Sequence, residues 1–308
     1  MIAFFWPKCY NKNTCGGCVG LNRGWKETGK AEQEMKRKLI FLDIDGTLTP
    51  AGSNVPPESA MKAIRQAQAN GHLVFLCTGR NPGMLAPVLA LGFEGAVAGA
   101  GGYVFAGDRV LFDCPMPKED FETGMRLLKE NGVFRTIEAR DKTWGDEDLG
   151  DFLAQAGEGN SELVRWRKAL AEQLNILPMA EYDGSPIYKI VFMCREARQL
   201  ESARQALEKD YNFVVQDVAA HHCLNGELIN RKFDKGRGVK IVADAFGIPI
   251  EDTLGFGDSM NDLEMIETVG YSVCMDNGSP KLKEISDLVC PAVEADGLYW
   301  AFEKLSLI

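Results

Sequence analysis

The feature that most constrains the fold is the segment over residues 38–49, KLIFLDIDGTLT. Its four consecutive apolar residues, Leu39–Leu42, predict a strand that is buried on both faces, as strands of parallel sheets are. The strand runs into two carboxylates, Asp43 and Asp45, which are followed by Gly46. A chain that curls here can bring both carboxylates over the carboxyl end of the strand, where open α/β sheets bind ligands. The plainer interpretation is a strand followed by an Asp-Gly turn, so the rest of the chain has to decide between the two.

Strand and helix signals alternate after this segment and again near the end of the chain. A buried strand over residues 73–77 is followed by Asn81-Pro82, a good cap and first position for a helix. The other signals are a helix begun by Pro56-Pro57-Glu58 and ended by Gly71, strands over 96–98, 253–256 and 271–275, helices over 236–246 and 260–266, and a last helix capped by Ser279-Pro280. This alternation of strands and helices predicts an α/β fold with a doubly wound, Rossmann-like parallel sheet.

The middle of the chain has a different pattern. Helices predicted over 121–128, 163–174 and 197–207 alternate with strands over 134–139 and 187–193, which is typical of a small α+β domain. A chain of 308 residues also exceeds the usual size of one domain. We therefore expect residues 39–116 and 226–308 to form the Rossmann-like core, with an α+β domain inserted over residues 117–225.

Composition limits the location and the partners of the protein. Asp and Glu number 44 against 34 Lys and Arg, and no basic block stands out, so nucleic acid is not an expected partner. No apolar run is long enough to cross a membrane, and the start lacks the basic leader of a secretory signal. The nine cysteines, an odd number, indicate reduced thiols and a cytoplasmic protein.

Residues 1–37 differ in character from the rest of the chain. Cys9, Cys15 and Cys18 could hold a metal, but no fourth ligand is evident nearby, so a loosely ordered extension is the favoured interpretation. Residues 24–30 match the nucleotide-loop pattern G-x-x-x-x-G-K, but Ala31 stands where Ser or Thr would reach the magnesium. We interpret this match as accidental.

Polar side chains follow the ends of three predicted strands. Asp43 and Asp45 follow the first, Thr78 the second and Asp258 a later one, with Asp262 about one helical turn further on. If these strands are neighbours, four carboxylates share one crevice and repel one another unless a cation neutralises them. Oxygen ligands without nearby His or Cys favour Mg²⁺ as that cation.

Lys235 begins a helix after the middle domain, and its ammonium could reach the same crevice. Each of these residues alone has a plainer explanation. Asp258 could be a helix cap, Thr78 a turn residue and Lys235 a solvated side chain. Their joint occurrence in this order favours a catalytic site.

The complete set of motifs resembles the haloacid dehalogenase superfamily. The matching residues are Asp43-Ile44-Asp45-Gly46-Thr47, Thr78-Gly79-Arg80, Lys235 and Gly257-Asp258-Ser259-Met260-Asn261-Asp262. The large insert is similar to the Cof-like branch, whose members carry an α/β cap domain, so we call the region over 117–225 the cap. The resemblance covers roughly residues 39–308 and leaves residues 1–37 unexplained.

The resemblance implies a mechanism that suits these residues. Asp43 would attack phosphorus and form an aspartyl-phosphate, and Asp45 would protonate the leaving oxygen and later activate water. Thr78 and Lys235 would hold the transferring oxygens.

The resemblance also implies ligands for Mg²⁺ and for the substrate. The metal set is Asp43, Asp45 through its main-chain carbonyl, Asp258 and Asp262, of which Asp262 is expected to orient the water shell of the ion. The substrate contacts implied are Gly79, Arg80, Asn261 and, in the cap, Lys189.

We therefore expect a cytoplasmic, magnesium-dependent phosphatase of a small phosphorylated metabolite, such as a sugar phosphate or a nucleotide. Asp45 favours phosphate chemistry, because dehalogenases of this superfamily lack the second Asp. A phosphomutase that uses the same intermediate is one alternative, and a non-catalytic module that binds phosphometabolites is another. The pair His221-His222 beside Cys223 could suggest zinc, but ordinary cap or surface residues are the favoured interpretation.

Overall fold

The computed structural model describes residues 36–155, 176–216 and 224–308, which lie in one compact unit. In chain order the strands of these ranges are β1 (Leu39–Leu42), β2 (Leu73–Cys77), β3 (Gly95–Ala98), β4 (Tyr103–Ala106), β5 (Arg109–Asp113), β6 (Phe134–Ala139), β7 (Thr143–Gly145), β8 (Ile176–Pro178), β9 (Ile187–Cys194), β10 (Tyr211–Gln216), β11 (Leu224–Asn230), β12 (Thr253–Gly257), β13 (Tyr271–Met275) and β14 (Leu288–Cys290). The α-helices are Glu58–Ala69, Ala86–Leu89, Lys118–Glu130, Leu149–Gln155, Glu201–Leu207, Lys235–Phe246, Leu263–Thr268, Pro280–Ile285 and Gly297–Lys304. Among the described residues, none of the helices has the length and apolarity needed to span a bilayer.

The first sheet has eight strands in the order β14-β13-β12-β1-β2-β3-β4-β5. The strands from β14 to β3 run parallel, and β4 and β5 add an antiparallel hairpin at one edge. Alternate residues of β1 point to opposite faces. Ile40 packs in a cluster with helices Glu58–Ala69 and Gly297–Lys304, and Phe41 packs in a cluster with helix Lys235–Phe246. The predicted doubly wound α/β fold is thereby confirmed.

Strand order brings distant parts of the chain to one edge of this sheet. β1 lies between β2 and β12, in the register Leu42 to Leu76 and Leu42 to Phe256. The three strands are parallel, so the residues that follow them, including Asp43 and Thr78, are at the same edge.

The second sheet has six strands in the order β10-β11-β9-β6-β7-β8 and is mostly antiparallel. One face buries apolar residues such as Ile190, Phe192 and Leu228 in a cluster with helices Lys118–Glu130 and Glu201–Leu207. β11 belongs to this sheet, so the predicted border between residues 225 and 226 crosses a strand. The division into core and cap otherwise stays a prediction.

The two connections between the sheets pass the same point of the core. On the way out, the backbone N–H of Cys114 donates to the carbonyl of Gly102 at 3.0 Å. On the way back, the ring of Phe233 packs so closely on Gly102 that a Cβ there would lie 2.9 Å from it. Both chain crossings therefore contact one glycine at the end of the 3-10 turn Gly99–Gly101.

Helix caps predicted from the sequence are present. The side chain of Asn81 accepts a hydrogen bond from the backbone of Met84 at 3.0 Å, and Ser279 Oγ accepts one from Leu282 at 3.1 Å. The interpretations of residues 1–35, the predicted helix over 163–174 and the pair His221-His222 fall outside the described residues.

Candidate active site

Three neighbouring strands deliver the first side chains of the site. Asp43 directly follows β1, and its backbone N–H still donates to the carbonyl of Phe256 on β12 at 3.0 Å. Thr78 directly follows β2 and is bonded in the same way to Val97 at 2.8 Å. Asp258 directly follows β12. These ladder contacts fix the three backbones at the edge where the sheet ends.

The loop after β1 is folded tightly around Gly46. This residue has φ +89°, a conformation that glycine adopts without steric cost. A Cβ at this position would lie 2.4 Å from Asp258 Oδ2, so only glycine lets the loop approach that carboxylate. Asn277, which the sequence did not single out, donates from Nδ2 to the carbonyl of Gly46 at 2.8 Å. The predicted curl at Asp45-Gly46 is present in the structure.

Lys235 lies behind Asp43 and contacts its carboxylate. It is the first residue of helix Lys235–Phe246, whose preceding residue Asp234 caps the backbone N–H of Arg237 at 2.7 Å. Its ammonium is 1% exposed and donates to Asp43 Oδ1 at 2.7 Å and to Asp262 Oδ1 at 2.5 Å. The helix start thus places a buried cation between two buried carboxylates.

Asp262 holds the loop that carries Asp258. Its Oδ2 accepts hydrogen bonds from the backbone N–H groups of Asp258 at 3.0 Å and Ser259 at 3.1 Å, while Oδ1 accepts the bond from Lys235. The side chain is fully buried. These bonds use both carboxylate oxygens, so Asp262 fixes the backbone of the Asp258 loop. The role expected from the sequence, orienting the water shell of the ion, stays a prediction.

The carboxylates are close enough to bind one cation together. One oxygen each from Asp43, Asp258 and Asp262 lie within 4.8 Å of one another. Burial, followed by the charge of Asp262, raises the pKa of Asp43 to about 7, although Lys235 acts in the opposite direction. Burial and the charge of Asp43 raise the pKa of Asp258 to about 8. A divalent cation would relieve this repulsion, so the donor set fits a hard metal ion.

Lys235 keeps its proton in this environment. Burial acts to lower the pKa of its ammonium, but the charges of Asp262 and Asp43 outweigh that cost and raise the pKa well above its ordinary value. Lys235 is therefore a permanent positive charge beside Asp43.

Arg80 binds the second carboxylate of the first motif. Its Nε donates to Asp45 Oδ2 at 2.8 Å and its Nη2 donates to Asp45 Oδ1 at 2.7 Å, a bidentate geometry. Nη1 donates to Asn54 Oδ1 at 2.6 Å, and the side chain is 6% exposed. The structure thus gives Arg80 protein partners, and its expected substrate contact stays a prediction.

Most of the residues predicted for the site line one cavity of about 60 Å³. Its lining includes the predicted residues Asp43, Asp45, Thr78, Gly79, Asp258 and Asn261. Lys235, Asp262 and Arg80 lie directly behind this wall through the contacts described above. Lys189 is 2% exposed and donates to the carbonyl of Gly79 at 3.2 Å, so it too is behind the wall.

The lining also contains residues that sequence reasoning missed. They are Ala51, Gly52 and, from β11, Glu227. Ser259, which belongs to the last motif but was given no role, also lines the cavity. The backbone N–H of Gly52 donates to Asp45 Oδ1 at 3.0 Å, so the loop over residues 51–54 helps to hold that carboxylate. The Gly and Ser residues after the first motif could have indicated this loop, whereas the sequence of β11, LNGELIN, has no regular alternation of polar and apolar residues that would mark it as a strand.

Comparisons with known proteins identify relatives over most of the chain. A family model described as haloacid dehalogenase-like hydrolase matches residues 40–302. YkrA of Bacillus subtilis (strain 168), provisionally named a phosphatase, is 30% identical over 282 residues, which cover 89% of this chain and 100% of YkrA. The 5-amino-6-(5-phospho-D-ribitylamino)uracil phosphatase YwtE of the same organism is 27% identical over 283 residues, covering 87% of this chain and 98% of YwtE.

A solved structure has the same fold. The haloacid dehalogenase subclass IIB sugar phosphatase BT4131 superposes with a TM-score of 0.71 and 20% identity, over 88% of this chain and 100% of the other. At this identity the likeness concerns the fold alone.

Proposed function

The chain belongs to the haloacid dehalogenase-like hydrolases, as its motifs indicated, and we propose that it is a magnesium-dependent phosphatase of a small phosphorylated metabolite. Membership in this family, together with relatives named as phosphatases, makes it a phosphoric monoester hydrolase. The metal dependence, the substrate class and the residue roles given below are the proposal.

Asp43 is the nucleophile in this proposal. Its carboxylate lies at the floor of the cavity, and the hydrogen bond from Lys235 to Oδ1 fixes the orientation of the group. Attack on phosphorus forms an aspartyl-phosphate and divides one difficult hydrolysis into two easier steps. Lys235 keeps its positive charge throughout and stabilises the negative charge that develops on the transferring oxygens.

Asp45 is the general acid and base. It lines the same cavity as Asp43, and the bidentate contact with Arg80 holds its carboxylate at that wall. Asp45 donates a proton to that oxygen in the first step and takes one from water in the second. Thr78, which is 1% exposed and lines the cavity, contacts the phosphoryl oxygens.

The metal site uses the remaining carboxylates. Asp43, Asp258 and the main-chain carbonyl of Asp45 would hold Mg²⁺, with Asp262 fixing the loop of Asp258. A bound Mg²⁺ supplies charge neutralisation, which allows a carboxylate to approach a phosphoryl group of like charge.

One observation carries the proposal: two carboxylates line the same cavity, and each is bound by a different cationic side chain. Asp43 is bound by a lysine at the start of a helix, whereas Asp45 is bound by an arginine. Binding alone would not require a nucleophile and an acid side by side. The name of YwtE supports a small phosphorylated metabolite as the substrate, for which we propose the sugar phosphate or nucleotide class. We propose the cytoplasm as the site of the reaction.

The test is a panel of phosphate monoesters, assayed with Mg²⁺ or with a chelator. We expect phosphate release that depends on Mg²⁺. Asp43→Asn should lower kcat at least about a thousandfold, because the nucleophile is lost. Asp244→Asn, which changes an exposed residue of helix Lys235–Phe246, is the matched control and should leave kcat unchanged.

Each other outcome contradicts a stated part of the proposal. Activity retained in a folded Asp43→Asn protein would remove the nucleophile assignment. An isomerised product without phosphate release would indicate a phosphomutase. Binding of the esters without any turnover would indicate a non-catalytic module.

A further inference from the structure

The loop over residues 276–279 follows β13 and lies against both loops that carry the proposed metal ligands. At its start, the backbone N–H of Asp276 donates to the carbonyl of Cys290 on β14 at 2.8 Å. At its end, the side chain of Ser279 caps helix Pro280–Ile285. We call residues 276–279 the brace loop. A strand and a helix therefore fix its two ends.

The side chain of Asn277 makes the first contact between the brace loop and the metal site. Its Nδ2 donates to the carbonyl of Gly46 at 2.8 Å, and its Oδ1 accepts a hydrogen bond from the backbone N–H of Val293 at 3.2 Å. Gly46 directly follows Asp45, whose main-chain carbonyl is a proposed ligand of Mg²⁺. Asn277 therefore holds the backbone next to that ligand from outside the loop.

The second contact of the brace loop is with the loop that carries Asp258. The backbone N–H of Ser279 donates to the carbonyl of Asp258 at 2.7 Å. Gly278 passes so close that a Cβ there would lie 2.7 Å from the same carbonyl oxygen. The brace loop thus binds Gly46 through a side chain and Asp258 through its own backbone.

Both contacts bear on the distance between the proposed metal ligands. Gly46 lies against the carboxylate of Asp258, and Thr47 Oγ1 donates to Asp258 Oδ1 at 3.5 Å. Carboxylates that share a buried site repel one another until a cation binds, so Asp43 and Asp258 tend to move apart in the metal-free protein. A neutral amide that already holds the loop of Gly46 opposes this movement. It also reduces the entropy that is lost when the ion binds, because the loop is ordered beforehand.

We propose that Asn277 is a positioning residue of the metal site, which sets the affinity for Mg²⁺ by holding Gly46 in place against Asp258. Asn277 lies outside the four motifs and acts through Gly46, not by contact with the ion or the substrate. It is an exposed residue, so its side chain is not needed to fill the core. This inference rests on the metal site of the proposed function and adds to it a residue that supports the ligands.

The experiment titrates the full-length protein with Mg²⁺ alone and follows binding by calorimetry. Asn277→Ala removes both side-chain bonds and should weaken the affinity for Mg²⁺ about tenfold, as the loss of a residue that orients metal ligands does. Asn70→Ala is the matched control, because Asn70 is also exposed and donates from Nδ2 to the distant carbonyl of Leu307 at 2.9 Å. The control should lower the Tm of the metal-free protein to a similar extent and keep the affinity of the wild type for Mg²⁺.

Steady-state kinetics separate positioning from a general loss of structure. In Asn277→Ala the Mg²⁺ concentration that gives half-maximal activity should rise about tenfold, whereas KM for the ester at saturating Mg²⁺ should stay within about twofold of the wild type. Excess Mg²⁺ should restore most of kcat. Asn277→Ser, whose side chain is too short to join both backbones, should change the affinity in the same direction and keeps the test decisive if Asn277→Ala fails to fold.

Three results would overturn the inference. They are wild-type affinity for Mg²⁺ in a folded Asn277→Ala or Asn277→Ser protein, an equal loss of affinity in Asn70→Ala, and a wild type that does not bind Mg²⁺. Failure of the proposed function is a separate result. A wild type that binds Mg²⁺ but releases phosphate from none of the esters would contradict that function, and the titration would still decide this inference.

Discussion

Arg80 and Asp45 form a bidentate charge pair at the wall of the catalytic cavity. The pair is almost fully buried on the arginine side, where the side chain is 6% exposed, and a hydrogen bond to Asn54 holds the guanidinium in place. Arginine presents a rigid fork of donors that a lysine cannot reproduce. At the scale of single residues, the function of Asp45 therefore depends on a partner that comes from the next strand of the sheet.

The first prediction concerns this pair. Arg80→Lys keeps the positive charge but loses the bidentate geometry, so Asp45 becomes less well oriented. We expect kcat to fall about tenfold to a hundredfold while KM changes little. Steady-state kinetics on the best substrate of the panel measures the effect, and Arg65→Lys on an exposed helix face is the control. A rise in KM with kcat unchanged would instead support the substrate contact expected from the sequence.

His72 gives a prediction for stability. It is 2% exposed, and its Nδ1 accepts a hydrogen bond from the backbone N–H of Lys38 at 3.1 Å. Burial, and secondarily the charge of Lys38, lowers the pKa of His72 below its ordinary value of 6.5. The unfolded chain therefore binds a proton near pH 6.5 before the folded chain does. His72 consequently removes stability as the pH falls below that value.

The variant His72→Asn should remove this contribution, because Asn does not titrate and its Oδ1 can still accept the bond from Lys38. We expect the free energy of unfolding of the wild type to fall more steeply between pH 7 and pH 5 than that of the variant. Urea denaturation at several pH values measures both slopes. Parallel slopes would show that His72 is protonated equally in the folded and unfolded chains.

At the scale of elements, the loop after β1 is the segment whose backbone conformation can change least. Gly46 has a positive φ and lies against Asp258, and Asn277 binds its carbonyl. The loop thereby brings the backbone next to Asp45 against the carboxylate of Asp258. A small distortion of this backbone separates the ligands of the proposed metal site.

Gly46→Ala should therefore destabilise the fold and impair metal binding together. The added Cβ is strained by the positive φ and would lie 2.4 Å from Asp258 Oδ2. We expect a loss of more than about 2 kcal/mol of unfolding free energy and at least about a tenfold weaker Mg²⁺ affinity. Gly107→Ala is the control, because Gly107 has φ +54° but no atom within 4 Å of its Cβ position. It should cost stability only. Equal effects of the two substitutions on Mg²⁺ affinity would contradict this account.

Burial decides how well the elements can be predicted from the sequence. Strands β2, β6 and β13 have the bounds predicted, and nearly all of their residues are buried. Largely apolar runs mark β2 and β13, whereas β6 alternates with polar residues. The hairpin of β4 and β5 was not predicted. β5 is an edge strand with exposed residues, and it depends on pairing with β4 more than on its own sequence.

Some residues of the site could be predicted as neighbours from the sequence, and other contacts could not. Asp43, Thr78 and Asp258 could be predicted as neighbours, because each follows a strand of one parallel sheet. The partners of Arg80 and Lys189 could not be predicted. Their bonds to Asp45 and Glu227 join residues 35 and 38 positions apart, and the pairing depends on how loops and strands meet in three dimensions.

At the scale of the whole molecule, folding brings carboxylates from opposite ends of an acidic chain into one buried cluster. Asp43 and Asp258 are separated by the entire cap, yet the charge of Asp43 adds to burial in raising the pKa of Asp258, and the charge of Asp262 adds to burial in raising that of Asp43. The fold therefore carries a site that is strained electrostatically until a cation binds. Part of the binding free energy of the ion therefore comes from the relief of this repulsion between carboxylates.

Mg²⁺ binding should release protons from this cluster. The pKa values of about 7 for Asp43 and about 8 for Asp258 mean that both carboxyls are partly protonated at neutral pH. A cation favours their ionised forms, so affinity should strengthen and the Mg²⁺-induced rise in Tm should grow as the pH increases from 6 to 8. Calorimetry at pH 7 in buffers of different ionisation enthalpy measures the protons released. Asp258→Asn should lack the effect, and a wild-type response independent of pH would contradict it.

Both crossings between the sheets contact Gly102, so the cap leaves and re-enters the core at one point. A shortened chain that joins residue 115 to residue 231 through a brief linker would omit strands β6 to β11 yet keep β1, β2 and β12, which Asp43, Thr78 and Asp258 follow. In such a chain the cavity would lose Glu227 from its lining. The whole second sheet is thus attached to the first at a single place, from which it could be removed.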